Sequence, residues 1–226
     1  MAINSLSTGF RPGVCTSSTR PTAPYEGQQI YETDTDLLRI WNGSAWVSNP
    51  STFTTEALRD ASITSPSEGM IAYLTAPTVP AATGGDAAVP TGIVTVYNGS
   101  VWVCTTTVGT GQSGSSQTAT ASAVDITIGG VTPTVTLVTG TTALVSMNCN
   151  LVSVGNYTRL TVKTGSVASN SKWWAFNVSN STICVGRTFV MTGLTAGTNT
   201  FTLQLQSNVV DASNAADVFL AVSGIA

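Results

Sequence analysis

Pro24-Tyr25-Glu26-Gly27-Gln28-Gln29-Ile30-Tyr31-Glu32-Thr33 returns 42 residues later as Pro66-Ser67-Glu68-Gly69-Met70-Ile71-Ala72-Tyr73-Leu74-Thr75. Pro, Glu, Gly, Tyr and Thr keep their places in both copies. Each copy closes on a second shared stretch, Trp41-Asn42-Gly43-Ser44-Ala45-Trp46-Val47 and Tyr97-Asn98-Gly99-Ser100-Val101-Trp102-Val103. That offset is 56, so the second copy carries 14 extra residues. Asn-Gly between apolar, aromatic-rich runs marks a hairpin, because a type I′ turn needs φ > 0 at both central residues. Residues 38–41 are therefore expected to pair with 45–47, and 94–97 with 101–103. Residues 29–33 add a third strand, ended by the turn-formers Asp34-Thr35-Asp36. Each copy is thus a three-stranded β-meander, a supersecondary unit used twice. So small a unit needs a neighbour to be stable, since below about 40 residues a chain seldom folds unaided. Tyr31, Trp41 and Trp46 in the first copy, and Tyr73, Tyr97 and Trp102 in the second, are expected to form the module cores. The alternative use of such aromatics is a platform on which sugars stack.

Residues 118–226 change character. Eight strand-like segments follow one another, at 122–128, 134–139, 143–152, 157–164, 172–178, 183–191, 198–206 and 217–222. Several alternate cleanly, as in Phe201-Thr202-Leu203-Gln204-Leu205-Gln206, where apolar and polar residues face opposite ways. Eight short strands without a helix indicate a β-sandwich, and the count suits a jelly roll. The fold class is all-β: two small three-stranded β-meander modules followed by a jelly-roll β-sandwich. The chain divides into an N-terminal arm (1–20), repeat 1 (21–50), a connector (51–62), repeat 2 (63–106), a Gly/Ser linker (107–117) and the sandwich (118–226). Thr55 caps a short helix in the connector. The insertion in repeat 2, residues 76–91, is a loop or arm for contact with a neighbouring subunit.

Composition narrows the function. Charged residues are 8% of the 226, hydrophobic residues 42%, and the net charge is −3. Average soluble domains carry about 25% charge, and free monomers rely on net charge for solubility. So uncharged a chain is suited to an assembly. No basic patch speaks for nucleic acid, and no run of 18 apolar residues speaks for a membrane span. There is no His, which removes the Ser-His triad, Cys-His pairs and most zinc sites. The Asp34/Asp36 pair lacks the further oxygens that calcium requires, and no carboxylate pair suits glycoside hydrolysis. No cofactor, metal or catalytic group is expected, and the chain reads as non-enzymatic. Cys15, Cys104, Cys149 and Cys184 have no metal-ligand spacing. In a reduced cytoplasm all four are expected as buried thiols, with a Cys149–Cys184 bridge as the alternative. In Lys172-Trp173-Trp174-Ala175-Phe176, adjacent tryptophans cannot share one face of a strand. Trp173, Trp174 and Phe176 are the candidate subunit-contact or ligand-stacking residues.

The repeat unit, residues 24–47, resembles a short module of tailed-bacteriophage virion proteins: tail, fibre and head-decoration proteins. The run from Gly186 to Ile225 is similar to the trimeric jelly roll of the complement-C1q and tumour-necrosis-factor type seen at the ends of phage fibres. The resemblance implies a homotrimer on the outer surface of a virion, assembled in a host cytoplasm, with the major capsid protein or another virion protein as partner. It implies that Arg187-Thr188-Phe189 and the run to Gln206 are neighbouring strands, and that the last strand lies near the threefold axis. A capsid decoration, cement or head-fibre role is the first expectation. A tail-tip protein that binds host surface glycan through Trp173 and Trp174 is the second.

Overall fold

The computed structural model describes residues 12–48, 51–114, 117–118, 120, 122–164, 167–168, 174–207 and 214–226. At 48, 117, 152–159, 167–168, 174–183, 207 and 214 it describes the backbone alone. The chain forms two compact units, residues 1–53 and 54–226.

The first unit contains β1 (Gly13–Cys15), β2 (Gln29–Glu32), β3 (Leu37–Trp41), β4 (Trp46–Ser48) and β5 (Ser51–Phe53). Strands β2, β3 and β4 form the antiparallel meander expected from the repeat. Strand β1 lies parallel to β2, with Gly13 beside Ile30 and Cys15 beside Glu32. Residues 12–20 are therefore part of the module and not a free arm. Residues 1–11 of the expected arm lie outside the described residues.

The second unit opens with α1 (Glu56–Ser62), capped by Thr55, whose Oγ1 accepts the Leu58 amide. The meander of repeat 2 follows as β6 (Ile71–Leu74), β8 (Ile93–Tyr97) and β9 (Trp102–Cys104), paired in that order. Between β6 and β8, within the insertion, lies β7 (Ala81–Thr83). The remaining strands are β10 (Val108–Gln112), β11 (Gln117–Thr118), β12 (Val124–Asp125), β13 (Thr134–Thr139), β14 (Thr142–Thr164), β15 (Val167–Ala168), β16 (Trp174–Thr192), β17 (Gly197–Ser207) and β18 (Asn214–Ile225).

Strand β14 organises the sandwich. Its first half pairs with β18, its second half pairs with β17, and β16 runs antiparallel along most of it. One strand thus passes from one layer to the other, with register shifts between Ser153 and Tyr157 where it bends. For this reason two pairs of expected strands are each one strand: 143–152 with 157–164, and 172–178 with 183–191. Strands β16 and β17 are not neighbours, because β14 lies between them. The core between the layers is built from alternate residues, including Val145, Leu160, Phe201, Leu203, Leu220 and Val222, all fully buried.

Two expectations, one about the linker and one about the insertion in repeat 2, are corrected. Residues 107–117 contain a strand and not a flexible linker: β10 pairs with β18 from Val108↔Val222 to Gln112↔Val218, and Val108 and Thr110 are fully buried. The tighter of its two glycines is Gly111, where a Cβ would sit 3.1 Å from Asp86 Oδ2. Nor is the insertion an unpaired loop. Strand β7 pairs with the edge of β13, and the Asp86 and Ala88 amides donate to the Gly111 and Gly109 carbonyls on the free side of β10. The insertion thus covers an open edge of both layers. Gly84 joins the two parts with φ +150°, and a Cβ there would collide with Thr110 Oγ1.

Phe201→Ala is expected to cost about 3–5 kcal/mol, the range for a buried aromatic truncated in a close-packed core. Denaturant unfolding of the variant against the parent measures it; a loss below 1 kcal/mol would show that Phe201 is not core.

Candidate interaction surface

The turns and hairpin loops of the two repeats share their backbone hydrogen bonds. Gln28 N donates to Tyr25 O at 3.0 Å, and Met70 N to Ser67 O at 3.1 Å. Gly27 and Gly69 occupy the third position of these turns with φ +83° and +84°, as a type II turn requires. Gly27 N reaches Trp41 O and Gly69 N reaches Tyr97 O, both at 2.8 Å. The hairpin loops are not two-residue type I′ turns. Trp41 pairs with Trp46 and Tyr97 with Trp102, leaving four residues in each loop. Only the glycines have positive φ, +93° at Gly43 and +87° at Gly99. Asn42 and Asn98 act through their side chains: Asn42 Oδ1 accepts from Ser44 N and Ala45 N, and Asn98 Oδ1 from Ser100 N and Val101 N.

Register divides the expected aromatic cores. Ile30 faces Arg39 and Trp41 faces Trp46, so Ile30, Glu32, Arg39, Trp41 and Trp46 share one face of the first meander. Tyr31 is on the other face, where its hydroxyl donates to Asp36. In the second copy Ala72, Leu74, Thr95, Tyr97 and Trp102 share a face, and Tyr73 is on the other. Trp41 and Trp46 pack with ring centres 5.5 Å apart, and Tyr97 and Trp102 at 5.4 Å. Tyr31 and Tyr73 belong to neither pair.

Glu32 sits at the centre of the first module, wholly buried. Its carboxylate accepts from Arg20 Nε, Arg39 Nε at 3.2 Å and Thr35 Oγ1 at 2.8 Å. Burial alone would raise its pKa. The hydrogen bonds from Arg20 and Thr35, with the charges of Arg39 and Arg20, outweigh burial and hold it below the usual glutamate value. Repeat 2 has Leu74 and Thr95 at the equivalent places, and Arg59 covers that face from α1. The Arg59 guanidinium lies 4.7 Å from the Trp102 ring centre and donates to Thr95 Oγ1 at 3.4 Å. Period-two alternation from Ile30 places Glu32 inward, a signal that its residue type hides. Glu56, at the first helical position, accepts from the Thr78 and Val79 amides, fixing the start of the insertion. Burial opposes its ionisation, but these bonds lower its pKa.

On the sandwich, β14, β16 and β18 present an outward face of different chemistry. Leu144 stands between Val190 and Ser223, Ser146 between Thr188 and Ala221, and Asn148 between Gly186 and Phe219. Leu144, Val190, Phe219 and Ile225 are exposed by 38–45%. Among the described residues the one charge in these outward rows, Asp217, accepts from Asn150 at the end of the face. Of the residues expected to make a contact surface, Trp173 lies outside the described residues. Trp174 and Phe176 enter β16 opposite Leu160 and Thr158, and their side chains lie outside what is described.

The cysteines are free. Cys149 is inward and buried, with burial raising its pKa to about 12; Cys184 is opposite Asn150 and exposed. They face opposite sides of the β14–β16 hairpin and cannot pair. Cys104 is also buried and raised to about 11, while Cys15 is half-buried, so the expectation of four buried thiols holds for two. No group of three or more Cys, Asp or Glu side chains among the described residues is placed to hold a metal. Asp34 instead accepts from the Ser17 amide and hydroxyl, which lower its pKa.

Glu32→Gln is expected to destabilise the first unit by about 3 kcal/mol at neutral pH, the low end for breaking a buried ion pair, since Arg20 reaches solvent. Because the folded pKa is depressed, the charged form's contribution is complete above the unfolded value of about 4.3 and fades as pH falls through the lower folded value. The variant should lose that part of the acid-side slope. Melting followed by tryptophan fluorescence from pH 7 to pH 2 checks it; identical slopes would refute the assignment.

Compared with protein families and with curated proteins, the chain finds no match. Among solved structures, a chain titled "CBM4 structure and function" is similar at 15% identity over 53% of this chain and 81% of that one. Its TM-score of 0.19 carries no argument about fold or function.

Proposed function

We propose that this is a non-enzymatic structural protein of a tailed-bacteriophage virion, a homotrimer held on the outside of the particle as a capsid decoration, cement or head-fibre protein. The observation that carries the reading is the outward face of β14, β16 and β18. Among the described residues it is an almost uncharged sheet surface with four half-exposed apolar side chains, the composition of a patch that is covered when subunits assemble. The paired meanders support it from the other end of the chain. They are small and duplicated, which suits attachment: several weak contacts on one assembly behave as an intramolecular set and sum to firm binding. The major capsid protein or another virion protein is the partner in this reading. Among the described residues no helix is long and apolar enough to cross a membrane.

Analytical ultracentrifugation tests the proposal. Three copies of a 23.2 kDa chain should sediment at about 70 kDa. Leu144→Asp and Phe219→Asp should each shift the protein to the single-chain mass with an unchanged circular dichroism spectrum. A parent protein that sediments as a lone subunit would sink the reading. Trp173→Ala with Trp174→Ala separates the two virion roles: loss of host adsorption with trimers intact would favour a glycan-binding tail tip.

A further inference from the structure

Two asparagines in this chain are followed by glycine, Asn42 and Asn98, and the repeat puts them at the same point of the two hairpin loops. In an Asn-Gly pair the glycine amide can attack the asparagine side chain. Glycine has no Cβ to shield its nitrogen, and its free φ lets the chain bend over the carbonyl. The two copies share this pair and differ in what surrounds it.

In copy one, three donors point at one oxygen. Asn42 Oδ1 accepts from Ser44 N at 3.0 Å, Ala45 N at 2.8 Å and Ser44 Oγ at 3.1 Å. Two amides and a hydroxyl on a carbonyl oxygen are the arrangement that stabilises negative charge when the carbonyl carbon is attacked. The nucleophile is the next residue's nitrogen, so its proximity is covalent. Among the described residues no hydrogen bond holds the Gly43 amide. Asn42, Gly43 and Ser44 are exposed, which gives water access to the reacting atoms. In copy two the described donors to Asn98 Oδ1 are Ser100 N at 3.1 Å and Val101 N at 2.9 Å. Asn98 is half-buried, and its Nδ2 lies 2.8 Å from where a Cβ on Gly140 would sit. The nitrogen that must leave is therefore open to water in copy one and packed against the sandwich in copy two.

We infer that Asn42 is a site of spontaneous modification, converted through a cyclic imide to aspartate and isoaspartate, while Asn98 is protected by its packing. The Gly43 nitrogen gives its proton to hydroxide and attacks Asn42 Cγ. The charge that develops on Oδ1 is met by the three donors. The Cγ–Nδ2 bond breaks, and the nitrogen takes a proton and leaves as ammonia. Water then adds to one of the two imide carbonyls and that carbonyl's C–N bond breaks. Opening at Cγ gives aspartate at position 42. Opening at the main-chain carbonyl gives isoaspartate, which routes the chain through the side chain and adds a methylene to the loop between Trp41 and Trp46. Water is the co-reactant and ammonia the product, so no oxidation state changes. Either product sets a carboxylate beside Glu26, whose carboxyl carbon is 3.7 Å from where a Cβ on Gly43 would be. This chemistry lies within one hairpin loop and does not depend on the assembly reading above.

The test holds the full chain at about pH 8 in water enriched in heavy oxygen, since the attacking nitrogen must lose its proton. Digestion at acid pH and mass spectrometry then read both loops. The Asn42 peptide should gain the amide-to-acid mass with heavy oxygen, in two chromatographically separate forms. Its rate should be about tenfold that of the Asn98 peptide in the same sample. Ser44→Ala removes one of the three donors and should slow Asn42 about threefold, at unchanged melting temperature and with Asn98 unaffected. The inference is overturned by an Asn42 peptide that stays an amide, by equal rates at the two sites, by a product without isoaspartate, or by a Ser44→Ala variant that converts at the parent's rate.

Discussion

A short β-sheet has two faces and two edges, and a chain of a few dozen residues can cover only some of them. Backbone donors at an edge and apolar side chains on a face both carry a cost in water unless something lies against them. Each part of this protein meets that constraint differently. The first meander takes a parallel strand, β1, onto one edge and fills its inner face with a carboxylate held by two guanidiniums. The second meander has an apolar inner face and packs β9 so closely that a Cβ on Gly224 would meet Val103 at 2.4 Å. The sandwich uses the inserted segment of repeat 2 to cover an edge of each layer.

The divergence of the two copies follows from this. At the positions of Glu32 and Arg39, repeat 2 has Leu74 and Thr95. A module that rests on a larger core gains from apolar residues, because burial over a wide area is the main stabilising term. A module with little core gains specificity from a buried charged group whose partners admit one arrangement, although such groups add little net stability.

The repeats, the strand alternation and the helix cap at Thr55 were legible in the sequence because each depends on residues close together in the chain. The β12, β13, β14, β16, β17 and β18 segments were recognisable as strands for the same reason, β14 and β16 as two each, whereas the short β15 was not. What was not legible came from distant pairing. Gly109 and Gly111 look like linker residues until Phe219 and the 86–88 segment are placed against them. The insertion looks like a free loop until β13 is beside it. Within the modules, Tyr31 was grouped with Trp41 and Trp46 by residue type, whereas the pleat puts it on the opposite face. Glu32 had a local signal, its even spacing from Ile30, but its meaning depended on Arg20.

The way the insertion closes the sandwich also sets where this gene could have been cut and rejoined. A recombination event in the glycine-rich stretch before residue 118 would separate the sandwich from both segments that cover its edges, leaving open strands prone to join with other chains. A crossover between β4 and β5, near residue 50, would not, since both covering segments then stay with the sandwich. The duplicated module at the front is therefore the exchangeable cassette, and its sister copy, welded into the larger unit, is inherited with the sandwich as one piece.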